Sequence, residues 1–188
     1  MDQQQRNHLI KNQNRAFITG SIENINDQWV FFDEETDEAF MLEQYSLQEV
    51  EIFHRHQWLR GILEEDGKIT LPTSTLFLQD KMKIRIRKQI TFALEILLNE
   101  LTDDVLFYFI YNLNLLDFSI YDCIYGHNQL SYLDEEENRN GVNFLIFDNG
   151  ECICNVQHHF TYEQEYQDRF EFTLSTGKRT IVEKISNL

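Results

Sequence analysis

Near Lys88 the chain changes its period. Lys81, Lys83, Arg85 and Arg87 alternate with Met82, Ile84 and Ile86, the two-residue repeat of a half-buried β-strand. Directly afterwards Ile90, Ala93, Leu94, Leu97, Leu98 and Leu101 recur as one apolar stripe, the repeat of an amphipathic helix. Strand patterns lie before this joint and return well after it, so the chain is held to an α+β fold with helices in its middle. The expected layout is a small antiparallel β-barrel or sheet over residues 1–88, a helical hairpin over 89–126 and a four-strand antiparallel meander over 127–188. These would form one or two compact units sharing the helical core.

Residues 2–13 carry Leu9 and Ile10 as the apolar contacts of a short amphipathic helix. Strands are expected at 17–25, at Gln28-Trp29-Val30-Phe31-Phe32 and, beyond the acidic run 33–38, at Ala39-Phe40-Met41-Leu42. Val50 and Ile52 alternate with Glu49 and Glu51. The strands at 58–63 and 68–71 flank Glu64-Glu65-Asp66-Gly67, whose Asp-Gly step marks a hairpin. Leu101-Thr102-Asp103-Asp104 offers cap chemistry for a second helix with Val105, Leu106, Phe109, Ile110, Leu113 and Leu116 as its stripe. A third, shorter helix is expected from Asp117 or Ser119 to Gly126. Residues 134–141 read as an exposed loop. In the last third, Asp148-Asn149-Gly150 is a two-residue hairpin signal, and Phe170, Phe172 and Leu174 alternate with polar residues.

Part of the first β region has a family resemblance. Val30-Phe31-Phe32-Asp33-Glu34, the acidic run, residues 49–53, Trp58-Leu59-Arg60-Gly61 and Leu71-Pro72 follow the landmarks of SH3-like barrels in order. About residues 28–79 therefore resemble that family, which implies a small β-barrel. Leu59 stands where the second tryptophan of the usual pair is expected, and Thr75 replaces an aromatic ligand-binding residue. The resemblance implies no polyproline-binding groove.

Composition bounds the function. The chain holds 32 acidic against 16 basic side chains, a net charge of −16. That disfavours a nucleic-acid partner, because phosphate contacts dominate such binding, and an anionic membrane surface. No apolar run reaches the ~18 residues of a membrane span. Residues 1–15 are polar, unlike a secretory leader. Three cysteines are too few for a disulfide scaffold, so a cytoplasmic location is expected.

Several constellations carry candidate chemistry. Lys81, Lys83, Arg85 and Arg87 would line one strand face at spacings of about 6.6 Å, a row able to bind an anion or an acidic partner. Cross-strand pairing with Glu23, Glu49, Glu51 or Glu64 is the structural alternative. His54 and His56 could converge on a metal ion from one strand face if folding brings a third ligand such as His127, His158 or His159. Cys152 and Cys154, on a face with Val156, His158 and Phe160, read as core rather than as zinc ligands, because flat strands hold neighbouring sulfurs too far apart. Cys123 and His127, four apart, would meet on one helix face. No glycine-rich phosphate loop, G-x-S-x-G or H-E-x-x-H is present, and no cofactor is implied. The expectation is a non-enzymatic acidic protein that binds another protein, as an inhibitor or immunity-type module. The alternative is a metal-dependent enzyme or metal-binding protein built on His54 and His56.

Overall fold

The computed structural model describes residues 1–133, 139–163 and 165–187, and the side chains of all of these except 165 and 184–187. The chain forms two compact units, one of Phe17–Lys88 and one assembled from Met1–Ala16 and Gln89–Leu188. The fold is α+β: among the described residues there is an eight-stranded antiparallel sheet, three α-helices and a five-stranded antiparallel meander. None of these helices is long and apolar enough to cross a membrane.

The Phe17–Lys88 unit holds β1 (Phe17–Ile25), β2 (Gln28–Asp33), β3 (Ala39–Met41), β4 (Glu49–His54), β5 (Gln57–Leu63), β6 (Lys68–Thr70), β7 (Thr75–Phe77) and β8 (Lys83–Arg87). Their order is β3-β2-β1-β8-β4-β5-β6-β7, so the last strand inserts beside the first, with Ile84 opposite both Gly20 and Ile52. The alternation at the joint orients this strand: Ile84 and Ile86 are fully buried, with Met82 packed on the same core. Ile22, Phe31, Val50, Ile52, Leu63 and Ile69 fill the rest. Gly20 permits a close approach there, since a Cβ would lie 2.0 Å from the Phe32 carbonyl oxygen. Two hairpins close through residues that all have positive φ, Asn26-Asp27 and Arg55-His56, the twist that two-residue connections favour.

The second unit holds α1 (Gln3–Lys11), α2 (Phe92–Glu100), α3 (Asp103–Leu115), β9 (Cys123–His127), β10 (Arg139–Asp148), β11 (Ile153–Tyr162), β12 (Glu165–Leu174) and β13 (Arg179–Asn187). The sheet order is β13-β12-β11-β10-β9. Phe109 of α3 stacks on Phe170 at 5.0 Å and on Phe172 at 6.3 Å, and meets Phe147 at 6.3 Å, so the helices cover one sheet face. In α1 the buried residue is Arg6, not Leu9 or Ile10. Its guanidinium donates to the Leu98 and Leu101 carbonyls and to Asp103 Oδ1 (2.7 Å), joining the end of α2 to the start of α3. The Met1 amino group also meets Asp103, 2.7 Å away. These two cations hold the Asp103 carboxyl below its ordinary range.

Three expectations need correction. The meander has five strands, because the expected third helix is a single 3₁₀ turn, Ile120–Asp122, followed by β9. Ser119 and Asp122 cap that turn reciprocally, which satisfies one turn of backbone and releases the chain into the sheet. Gly126 is no helix cap there. It faces α2, where a Cβ would lie 3.2 Å from Ala93 Cβ. The β10–β11 connection is four residues long, not two, because the Asn149 side chain accepts from the Glu151 and Cys152 N–H groups. Of the expected loop at 134–141, residues 134–138 lie outside the described residues and Arg139-Asn140-Gly141 begin β10.

Candidate functional site

The basic strand is shorter than its sequence pattern. Lys81 sits in the preceding turn with φ 64° and is exposed, so the strand carries Lys83, Arg85 and Arg87. Lys83 Nζ lies 2.8 Å from Glu34 Oε1. The Arg85 guanidinium stands between two rings, 4.4 Å from the centre of Phe17 and 4.5 Å from that of Trp58, and its Nε donates to Glu51 Oε2 at 2.6 Å. Arg87 also stacks on Phe17, at 4.4 Å. Arg60 closes the array, with Nε 3.4 Å from Glu49 and 3.6 Å from Glu51. Glu51 faces Arg85 on one side and Arg60 on the other by strand register. The row is thus interleaved with the chain's own carboxylates and aromatic rings.

A cleft of ≈ 690 Å³ opens elsewhere in the same unit. Three connections build it: the β1–β2 turn with Asp27, the 3₁₀ turn Leu42–Tyr45 with Glu43, and the β5–β6 loop with Glu64-Glu65-Asp66-Gly67. Trp29, Met41, Leu42 and Leu63 supply its apolar lining. Five of the twelve lining residues are acidic and none is basic. Gly67 lets the loop close on the indole: its φ is +70°, and a Cβ would lie 2.3 Å from Trp29 Nε1. Glu64 is partnered internally, accepting from Lys68 Nζ (2.5 Å) and Thr70 Oγ1 (2.6 Å). Those bonds hold its carboxyl below the usual range. Beside the cleft, following Ser46, Leu47 is 77% exposed and has φ 64°, a conformation a branched apolar residue adopts only at a cost.

A family model described as "Protein of unknown function (DUF2777)" matches residues 4–184, a span that runs through both units. The chain belongs to the DUF2777 family. It is also 30% identical over 132 residues to "Uncharacterized protein YisN" of Bacillus subtilis (strain 168), covering 70% of this chain and 67% of that protein. No solved structure matches.

The two histidines of the expected metal pair are placed differently in this DUF2777 protein. His54 ends β4, whereas His56 is the second residue of the hairpin turn with φ 65°, so the two do not share a strand face. The reason is the two-residue turn at Arg55-His56, which the sequence does not announce with Asn or Gly. Among the described residues no group of three or more His, Cys, Asp or Glu side chains could hold a metal ion. Cys123 and His127 begin and end β9 rather than sharing a helix face. Burial pushes the Cys123 thiol up, against a hydrogen bond with Thr91 Oγ1 at 3.4 Å. Cys154 is fully buried and burial pushes its thiol up to about 12, whereas Cys152 lies outside β11, half-buried, 3.1 Å from Ser175 Oγ. Only one of that pair is core.

The sequence offered His158 only as a candidate third metal ligand, and its polar partners went unread. His158 is fully buried in the DUF2777 meander, stacked on Phe170 at 4.3 Å. Its Nε2 donates to Asp168 Oδ1 (2.8 Å), which also accepts from the Tyr162 hydroxyl (2.5 Å). Asn143 Oδ1 accepts from the Leu130 N–H, which turns the amide nitrogen toward His158 Nδ1 at 3.1 Å. A donor facing Nδ1 requires the neutral ring with its proton on Nε2. Burial and Asp168 push the Tyr162 hydroxyl far above its ordinary range. The visible signal was a histidine within the inward stripe Cys154, Val156, Phe160. The cluster is sealed in the core, with its members satisfied by one another.

Proposed function

We propose that this protein is a non-enzymatic, cytoplasmic binding module that engages a basic surface of another protein, in its most concrete form as an inhibitor or immunity-type partner. The observation that carries this reading is the cleft: an apolar floor of Trp29, Leu42 and Leu63 bounded by Asp27, Glu43, Glu65 and Asp66. An apolar floor supplies contact energy, and a rim of one sign steers a partner of the opposite sign and excludes like-charged ones. The net charge of −16 adds long-range attraction in the same direction. Leu47, exposed beside the rim, offers a further apolar contact. The free thiols of Cys123, Cys152 and Cys154 support a reducing compartment. In this reading Lys83, Arg85 and Arg87 serve the sheet, and His54 and His56 serve a hairpin. The small-barrel resemblance of residues 28–79 contributes architecture only.

The test is cross-linked capture from cells with the intact chain and with the double variant Glu43→Lys/Glu65→Lys. Both positions are exposed, so the variant should fold. The expected result is a basic protein held by the intact chain in a salt-sensitive way and lost from the variant. Capture of the same protein by both forms, or of an acidic protein by the intact chain, would sink the proposal.

A further inference from the structure

The eight-stranded sheet holds an arginine stacked on a tryptophan. Arg85 lies 4.5 Å over the Trp58 ring while its Nε donates to Glu51. Planar guanidinium suits this double use, since its face stacks on an aromatic ring while its edge donates to a carboxylate. The cleft brings the same two receptors together. Trp29 is half-buried, packs on the core of its unit and lines the cleft, with Glu43 and Asp66 on the rim and no lysine or arginine among the lining residues. The volume of ≈ 690 Å³ exceeds what one side chain fills, so the backbone on either side of it would also lie in the cleft. The acids alone decide only the sign of the occupant. The aromatic floor and the volume decide its kind.

We infer that the cleft receives an extended segment of the partner protein and stacks an arginine of that segment on Trp29, with Glu43 and Asp66 taking the guanidinium edge. This rests on the binding function proposed above and names the chemistry of its occupant. Gly67 is the positioning residue: its lack of a Cβ lets the loop that carries Asp66 close against the indole. Lysine is the poorer occupant, because its compact ammonium is strongly hydrated and has no face to stack.

The chain has two tryptophans, so Trp58→Phe leaves Trp29 as the only indole and keeps an aromatic ring beside Arg85. In that protein the Trp29 indole N–H resonance and fluorescence are followed during titration with the tripeptide acetyl-Arg-Ala-Arg-amide. The lysine counterpart and the citrulline counterpart, which keeps the shape and loses the charge, are titrated alongside. The expected result is a saturable shift with the arginine peptide, about fivefold weaker apparent affinity with lysine, and at least about tenfold weaker with citrulline. Adding Glu43→Gln/Asp66→Asn should weaken the arginine peptide about tenfold while leaving the unshifted Trp29 spectrum native-like. Equal response to citrulline, or no response of Trp29 to arginine, overturns the inference. If Trp29 is silent while Glu43→Lys/Glu65→Lys still loses a basic partner, the stacked arginine fails and the binding function stands. If that variant keeps the partner, both fail.

Discussion

The two β-sheets treat their polar side chains in opposite ways. The meander draws His158, Asp168, Asn143 and Tyr162 into its core and satisfies them with one another. The eight-stranded sheet keeps its core apolar and sets Lys83, Arg85, Glu51 and Arg60 on the other face, with Arg85 against two aromatic rings. A buried polar group is costly when its partner is removed, because water cannot replace it. A surface pair is replaceable, so it contributes little to stability and its removal is tolerated. The meander's polar residues therefore specify packing. Those of the eight-stranded unit that face water, such as Lys83 and Glu34, can be varied at low cost, and the acidic cleft lies in that unit.

The strongest break of this contrast is Asp168→Ala. It leaves the Tyr162 hydroxyl and His158 Nε2 without their shared acceptor in a sealed core, at about 1–3 kcal/mol each, for an expected loss of about 2–6 kcal/mol in urea unfolding. Amide exchange should speed up most across β11 and β12. A loss under about 1 kcal/mol would mean that water reaches the site and that the two sheets do not differ as described.

The middle case is Arg85→Ala. Its side chain is 29% exposed and Glu51's is 8%, so this is more than a solvated pair. Two ring contacts add to the ion pair, at about 0.5–1 kcal/mol each when exposed. The expected loss is about 1–3 kcal/mol, part of it independent of salt. Arg85→Lys should recover the charge but not the stacking, and so less than half of the loss. Full recovery by lysine would show that the rings contribute nothing.

How legible was this in the sequence? The period change at Lys88 placed the strand and the helix correctly because both repeats are local, and the inward set Ile84 and Ile86 followed from burial alone. The β9 strand was missed because its pairing with β10 is a tertiary event, and Gly126 mimics a helix cap. His54-Arg55-His56 suggested alternation because nothing in those residues announces left-handed backbone. The cleft was out of reach for a different reason: Glu64, Glu65 and Asp66 form a run, but Asp27 and Glu43 stand alone in the sequence, and the longer acidic run at 33–38 does not line it. Three connections distant in sequence meet there, and no spacing rule encodes that.

The smallest expected effect is at Lys83. Its ammonium lies 2.8 Å from Glu34, but the two side chains are 52% and 44% exposed. Water solvates both ions in the unfolded chain and nearly as well in the folded one, and holding two long side chains together costs rotamer entropy. Lys83→Ala should therefore change stability by at most about 1 kcal/mol, with the difference vanishing at high salt. The same substitution also removes one positive charge from a chain already at −16, so association with a basic partner should become slightly faster at low salt rather than slower. If Lys83 instead held an anionic partner, the mutation would leave the melting temperature alone and weaken that partner. Measuring both quantities on one variant separates these outcomes. A weakened partner would turn the face of β8 from a structural surface into a binding one and end the contrast with the cleft.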